Sequence, residues 1–462
     1  VGTVFDPFSV ASAAAGVLSL THATSATVGH WQKQRLAQML AHARGCSALY
    51  RKRMRHLPDG AHTLEGVAPV TRAELMADFA GWVTDPRLEL AELIAFTADP
   101  DQVGQAFLDQ YLAWESSGTS GEPGMFVQDG FALSVYDALE TLRRPRDTSP
   151  RRWFDPFYLT ERMAFLGATG GHFASHVSME RLRRLQPWLA PVMQSFSVLE
   201  PVDAWVESLN DFSPTVLATY PTAALLLAQE AEHGRLHIHL HELWTGGETL
   251  STCMRVRIEK AFQCRVRNSY GASEFMAMGW ECAQGHMHLN SDWVLLEPVD
   301  EHNRPVPAGE PSCGVLLTNL ANRVQPLIRY AMGDQVTLRV APCNCGSPLP
   351  VIEVKGRQDD ILHMHGVHHE VPLLPLALST VLEEDAGVFD FQLCQRDDHT
   401  LVLRLPQSGD IGRHALQRCR QALQAYCTAQ GAAPIRVVGE LGQPLPRGRS
   451  GKLCRIQSKH TH

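Results

Sequence analysis

Val216-Leu-Ala-Thr219, Leu243-Trp-Thr245 and Val266-Arg-Asn268 are apolar runs of strand length, and between them Ala223–His233 and Cys253–Phe262 repeat apolar residues at helical spacing. Strand, helix, strand, helix, strand in that order predicts βαβ units and a parallel sheet. Met163–Leu166 extends the pattern toward the N-terminus. Beyond it the periodicity changes. Residues 1–100 read mostly as helix, with helical spacing from Trp31 to Leu40 and a capping-box pattern in which Thr71 is followed three residues later by Glu74. Trp293–Leu338 reads as β hairpins, with Pro305, Pro307 and Pro311 at turns. Gly356-Arg-Gln-Asp-Asp360 reads as a boundary. After it, Phe391–Cys394 and Leu401–Leu405 read as strands, and Ile411–Ala429 as an amphipathic helix with Leu416, Cys419, Leu423 and Tyr426 on one side. The expected architecture is therefore α/β. Residues 1–356 form an N-terminal body of several subdomains with mixed, largely parallel sheets, and residues 357–462 form a small α+β C-terminal domain.

Composition narrows the class. At roughly 100–200 residues per domain, 462 residues allow two to four domains. With 44% hydrophobic and 19% charged residues the chain is globular in type. A net charge of −8 and the lack of a long basic run argue against nucleic acid as a partner. The 11 cysteines are odd in number and dispersed, which predicts a reducing compartment, the cytoplasm, and no disulfide scaffold. The apolar stretch Val10–Leu20 has no basic flank and follows Asp6, so no signal peptide is expected. No window reaches the ~20 apolar residues of a membrane span.

Five segments carry chemistry. In Glu115-Ser-Ser-Gly-Thr-Ser-Gly-Glu-Pro-Gly124 the glycines free the backbone to point N–H groups at an anion, and four hydroxyls add donors. It is no Walker A loop, since no Gly-Lys-Ser/Thr follows. A Ser/Gly linker is the other reading, against which stands the compact apolar stretch Phe107–Trp114 just before it. Trp244-Thr-Gly-Gly-Glu248, Asn268-Ser-Tyr-Gly-Ala-Ser-Glu274, Arg329-Tyr-Ala-Met-Gly-Asp334 and the Gly-rich stretch ending in Gly451-Lys452 follow. Each alone reads as a turn with a solvated charge; their order gives them meaning. Separately, Cys282 precedes His286 and His288, and Cys343-Asn-Cys345-Gly makes a knuckle that can aim two thiolates at one ion. Tetrahedral Zn²⁺ suits that set, and reduced cysteines in loops are the alternative.

The order of these segments, over about residues 105–455, resembles the adenylate-forming superfamily of acyl-CoA synthetases and peptide-synthetase adenylation domains. Ser116–Gly124, Tyr270–Glu274, Pro326–Tyr330, Gly333-Asp334, Gly356–Asp360 and Gly451-Lys452 look most like the phenylacetate-CoA ligase branch. The resemblance implies an ATP-dependent, AMP-forming ligase. A carboxylate attacks the α-phosphorus of ATP, pyrophosphate leaves, and a thiol then takes the acyl group from the adenylate. It implies that Ser116, Ser117, Gly118, Thr119, Ser120 and Gly121 hold the β- and γ-phosphates. Tyr270 stacks on adenine within Tyr270-Gly271-Ala272-Ser273, Gly247 and Glu248 wall that pocket, and Asp334 and Arg357 meet the ribose. Glu274 holds Mg²⁺, a hard cation that favours oxygen ligands. Lys452 neutralises charge between the carboxylate and the α-phosphate, and Asp359 is the hinge of a mobile C-terminal domain.

The resemblance also places Tyr158, Gly170, Gly171, His172, Tyr220 and Pro221 at the acyl pocket. Glycines beside aromatics suit a flat ring, so an aryl acid of the benzoate, hydroxybenzoate or phenylacetate type is expected, with His172 available to a ring substituent. In that branch a structural zinc has Cys282, Cys343, Cys345 and the histidine at the place of His288 as ligands. His286 is the alternative, and strand alternation would point the two histidines opposite ways. The acceptor is coenzyme A or the phosphopantetheine arm of an acyl carrier protein. Arg143, Arg144, Arg146, Arg151 and Arg152 form the only basic run, either a patch for such a partner or a solvated face. Three features depart from the pattern: Glu122 stands where a lysine is usual, Met364–Pro372 is one residue longer and carries the pair His368-His369, and Gly246-Gly247-Glu248 replaces Gly-Ala-Glu. Glu122 leaves a second reading, a non-catalytic relative that binds an aryl-adenylate or aryl-thioester and hands it on.

Overall fold

The computed structural model describes residues 4–116, 124–145, 160–355, 361–366, 369–442, 445 and 455–458. A short hairpin, β1 (Leu112–Ser116) and β2 (Gly124–Gln128), precedes the main sheet. Among the described residues that sheet has nine strands. Its first half is β3 (Met163–Gly167), β4 (Met193–Ser197), β5 (Val216–Thr219), β6 (Glu242–Thr245) and β7 (Arg265–Ala272), ordered β4-β3-β5-β6-β7 and parallel throughout. Helices Ala174–Leu185, Val202–Phe212, Pro221–Glu232 and Thr252–Phe262 make the crossovers that parallel pairing requires.

Past β7 the chain turns back on itself. β8 (Phe275–Glu281) and β9 (Met287–Leu289) follow by tight turns and pair antiparallel. β10 (Val294–Val299), β11 (Gly314–Asn319) and β12 (Tyr330–Met332) form a second, antiparallel sheet. β13 (Gln335–Leu338) and β14 (Val351–Lys355) return to the main sheet, giving β13-β14-β9-β8-β7 at its far side. The expectation of largely parallel sheets is thus corrected. Among the described strands antiparallel pairings predominate, because no helix lies between β7 and β14 to make the crossovers that parallel pairing needs.

β15 (Leu362–His365) and β16 (Glu370–Leu373) form a hairpin. β17 (Gln392–Asp397), β18 (Thr400–Leu405), β19 (Arg436–Leu441) and β20 (Ile456–Gln457) form a four-stranded sheet ordered β19-β18-β17-β20. Helix Gly409–Ala429 buries Leu416, Cys419, Leu423 and Tyr426, the stripe its 3.6-residue period predicts. The boundary segment Gly356–Asp360 lies outside the described residues. The packing itself does not stop there: one apolar cluster runs from Leu217 and Leu243 of the parallel half to Leu378, Leu403 and Leu423. No helix among the described residues is long and apolar enough to cross a membrane.

The first hundred residues are helical as expected, and Thr71 and Glu74 make the reciprocal capping box. Asp6 caps helix Pro7–Thr21, whose buried face is Ala13, Val17 and Leu20. Arg143 corrects the reading of the basic run as a surface patch. Its guanidinium is fully buried and grips Asp292 through two nitrogens at 2.6 and 2.7 Å, with Asn290 at 2.8 Å. Arg35 reaches the same carboxylate at 3.2 Å and lies over the Trp293 ring. Burying one member of such a set without the other is costly. Asp292→Ala strands two guanidinium groups and is expected to destabilise the fold by about 3–5 kcal/mol in chemical denaturation.

Candidate active site

The carboxyl ends of the parallel strands lie in register. Leu166 pairs with Thr219, Thr219 with Thr245 and Thr245 with Asn268. Ligands of open α/β sheets bind outside this edge. The segments leaving it are Ala168–Phe173, Tyr220-Pro221 and Gly246–Glu248, while β7 runs on through Tyr270.

Tyr270 and Ala272 flank a bulge where β7 turns into β8. Gly271 is obligatory there, because a Cβ on it would fall 1.9 Å from the Met276 carbonyl oxygen. The turn that follows is held from two sides. Trp114 Nε1 of β1 donates to the Ser273 carbonyl at 2.9 Å, and Asn319 Nδ2 of β11 donates to the Glu274 carbonyl at 3.0 Å. The Glu274 side chain is buried. Burial pushes its carboxyl up, while a hydrogen bond from Tyr330 and the nearby Arg72 charge act the other way. The Tyr270 hydroxyl donates to Asp334 Oδ2 at 2.9 Å. Burial and that carboxylate hold the phenol protonated, far above its ordinary range.

Ser116 ends β1 opposite Gly124, the first residue of β2. Its Oγ accepts from the Gly124 N–H and from Arg72 Nη1, both at 3.1 Å. Glu115 N donates to the His172 carbonyl at 2.8 Å, which ties the root of the Ser/Gly segment to the Gly170–Phe173 stretch. The imidazole of His172 is buried against Phe96, with ring centroids 5.5 Å apart, and burial lowers its pKa. Gly170 and Gly171 face Glu384 of the C-terminal part; a Cβ on either would lie 3.5 or 3.8 Å from its carboxylate. Glu248 accepts from the backbone and hydroxyl of Thr222 at 2.8–3.0 Å, capping helix Pro221–Glu232. Gly247, at φ +78°, leaves room for the Tyr220 ring, 3.2 Å from where its Cβ would stand.

No protein-family model matches the chain. Among curated proteins it is 24% identical to the phenylacetate-coenzyme A ligase of Pseudomonas putida, over 73% of this chain and 72% of that one. It is 26% identical to the protein CapK of Staphylococcus aureus over 46% of each, so the chain spans about half of that relative's length. A solved structure of 2-hydroxyisobutyryl-CoA ligase superposes with a TM-score of 0.60 at 19% identity, covering 95% of this chain and 91% of that one, a likeness of fold. The chain is thus similar in sequence to a phenylacetate-coenzyme A ligase and in fold to a 2-hydroxyisobutyryl-CoA ligase.

Of the residues that the sequence resemblance singles out, the structure brings Ser116, Ser273, Glu274, Tyr270 and Asp334 to one place. Ser117–Gly121, Glu122, Tyr158, Arg357, Asp359 and Lys452 lie outside the described residues. Arg72 and Tyr330 were not singled out in the sequence as partners of Glu274. Tyr330 lies only four residues before Asp334, in the segment already flagged, whereas nothing near Arg72 hints at its place.

A second cluster lies between β8, β9 and the chain before β14. The ligand atoms of Cys282, His288, Cys343 and Cys345 all lie within 4.8 Å of one another. Cys282 and Cys343 sulfurs stand 3.9 Å apart, and His288 Nε2 is 3.3 Å from Cys345 Sγ. Two sulfurs each ~2.3 Å from one tetrahedral ion would be about 3.8 Å apart, so the donor set fits. His288 Nδ1 lies 2.9 Å from the Leu349 carbonyl, which leaves Nε2 to face the cluster. The expectation that the two histidines diverge is corrected. His286 Nδ1 is 3.2 Å from Cys343, because His286 precedes β9 and escapes its alternation.

Gly271→Ala is expected to open the bulge and shift the Glu274 turn. Its cost of about 1–3 kcal/mol is measurable as a lowered denaturation midpoint with unchanged slope.

Proposed function

We propose that the chain activates an aryl carboxylic acid with ATP, forming an acyl-adenylate and pyrophosphate, and then passes the acyl group to the thiol of coenzyme A. The observation that carries this reading is the convergence of Ser116, a buried carboxylate and the Tyr270–Asp334 pair at the carboxyl edge of the parallel strands. The name of the P. putida relative supports both a phenyl-bearing acid and coenzyme A as acceptor.

In this reading Asp334, already holding the Tyr270 hydroxyl, keeps a second oxygen for a ribose hydroxyl. Tyr270 supplies the adenine platform. Glu274 would hold Mg²⁺, which neutralises phosphate charge, and the ion in turn would favour the ionised form of a carboxyl that burial otherwise discourages. Ser116–Gly121 would hold the phosphates, and Lys452 would face the reacting carboxylate. Gly170, Gly171, Tyr220 and Pro221 would line the acyl site. Residues 1–356 would act as the body and 357–462 as a mobile lid hinged at Asp359. The Cys/His cluster would hold a structural Zn²⁺, since four protein ligands leave no open position. The ten cysteines described as free thiols support a cytoplasmic setting.

ATP–pyrophosphate exchange over benzoates, phenylacetates and an aliphatic hydroxy acid tests the reading. Exchange is expected with an aryl acid, falling about 100-fold or more in Lys452→Ala. No exchange with any acid would leave the non-catalytic binder standing. Thioester formation is expected with coenzyme A; turnover only with a holo carrier protein would reassign the acceptor. Metal analysis of the purified chain is expected to give one zinc per chain, lost in Cys343→Ser with a lower melting temperature.

A further inference from the structure

The Cys/His cluster holds one side chain more than a tetrahedral ion needs. Cys282, His288, Cys343 and Cys345 bring their ligand atoms within 4.8 Å of one another, and His286 is not in that set. Yet the half-buried His286 ring stands at the edge of the cluster, its Nδ1 3.2 Å from Cys343 Sγ. A tight loop between β8 and β9 puts it there. Cys282 N donates to the His286 carbonyl at 2.9 Å, and Gly285 N donates to the Cys282 carbonyl at 2.9 Å. The loop thereby fixes His286 beside Cys282 at the base of the hairpin, and its side chain meets the Cys343–Cys345 knuckle. The knuckle receives a second donor of the same kind, Ser347 N, 3.5 Å from Cys345 Sγ.

We propose that His286 is a positioning residue of the metal centre: its Nδ1–H donates to the Cys343 sulfur and steadies that thiolate, while His288 serves as the fourth ligand. This rests on the zinc reading above and adds a residue to it. Three thiolates carry more charge than one divalent ion offsets, and Cys282 and Cys343 are buried, so the excess has little water to spread into. N–H donors from outside the coordination sphere take up part of it. His288 is engaged differently. Its Nδ1 is 2.9 Å from the Leu349 carbonyl and its Nε2 3.3 Å from Cys345 Sγ, so one nitrogen is anchored and the other faces the sulfurs. That anchoring fixes the tautomer of a ligand histidine. The consequence of the His286 contact is kinetic. Metal leaves a thiolate site when a sulfur lets go or is attacked by an electrophile, and a sulfur that accepts an N–H is the poorer nucleophile.

The test uses the full zinc-loaded chain with His286→Leu, His286→Asn and His288→Leu. Wild type and His286→Leu are each expected to carry one zinc per chain. Release to excess chelator is expected to be about 10–100-fold faster in His286→Leu, and His286→Asn, which restores a donor near the same place, recovers most of the difference. Iodoacetamide, with the modified site mapped by mass spectrometry, is expected to reach Cys343 faster in His286→Leu. With Co²⁺ in place of zinc, tetrahedral absorption persists in His286→Leu and is lost in His288→Leu; the reverse pattern makes His286 the ligand and overturns the proposal. Equal release rates in wild type and His286→Leu overturn it while leaving the zinc reading intact. No metal in the wild type overturns the zinc reading and the proposal with it. A merely structural role lowers the melting temperature of the chelator-stripped and the zinc-loaded chain alike, which also overturns the proposal; the expected loss is confined to the loaded form. If His286→Leu does not fold, the same comparisons in His286→Ala decide.

Discussion

Two hydrogen bonds into one turn hold the site together. Trp114 Nε1 and Asn319 Nδ2 donate to the consecutive carbonyls of Ser273 and Glu274. Both donors are buried, so each bond also satisfies a group that would otherwise be stranded. The first ties β1, and with it the root of the Ser/Gly segment, to the end of β7. The second ties β11 to the same point, and Asn319 Oδ1 accepts from the backbone N–H groups of Ala321 and Asn322, which fixes the side chain's orientation. The parallel half of the sheet, the β1–β2 hairpin and the antiparallel β10–β12 sheet therefore meet at Glu274, which is why a carboxylate can be held there out of water.

Charge is organised around that carboxylate by contributions from separate parts of the chain. Tyr330 and Arg72 offset the burial of Glu274, and Asp334 accepts a hydrogen bond from the Tyr270 hydroxyl. Away from the site, Arg143, Arg35 and Asp292 solve the same problem for structure, pairing charge with charge in a place with no solvent. Arginine suits both settings, since its flat fork satisfies a carboxylate or a hydroxyl at several points at once.

The Cys/His cluster works on a different scale. It joins β8 and β9 to the loop ahead of β14 at the antiparallel side of the main sheet, where the strands are short. Three-residue β9 offers few ladder bonds, and the stacking of Trp280 on His288 with the His288–Leu349 contact adds to what holds it. With a metal ion held between them, four side chains from three segments would make a cross-link, in keeping with a role in architecture.

Much was legible in the residues alone. The strands β3, β5, β6 and β7, the helices after them, the capping box at Thr71 and the buried stripe of Gly409–Ala429 all follow from local periodicity and short-range chemistry, which depend only on neighbours in sequence. The Gly-bearing turns and the four zinc-type residues were visible as motifs for the same reason. What the chain order could not show is which segments meet. The antiparallel half of the sheet, the burial of Arg143, the approach of His286 to Cys343 and the arrival of Arg72 beside Ser116 join residues dozens to hundreds of positions apart. Such contacts are set by strand register and by the need to pair every buried charge, constraints that exist only once the tertiary structure has formed.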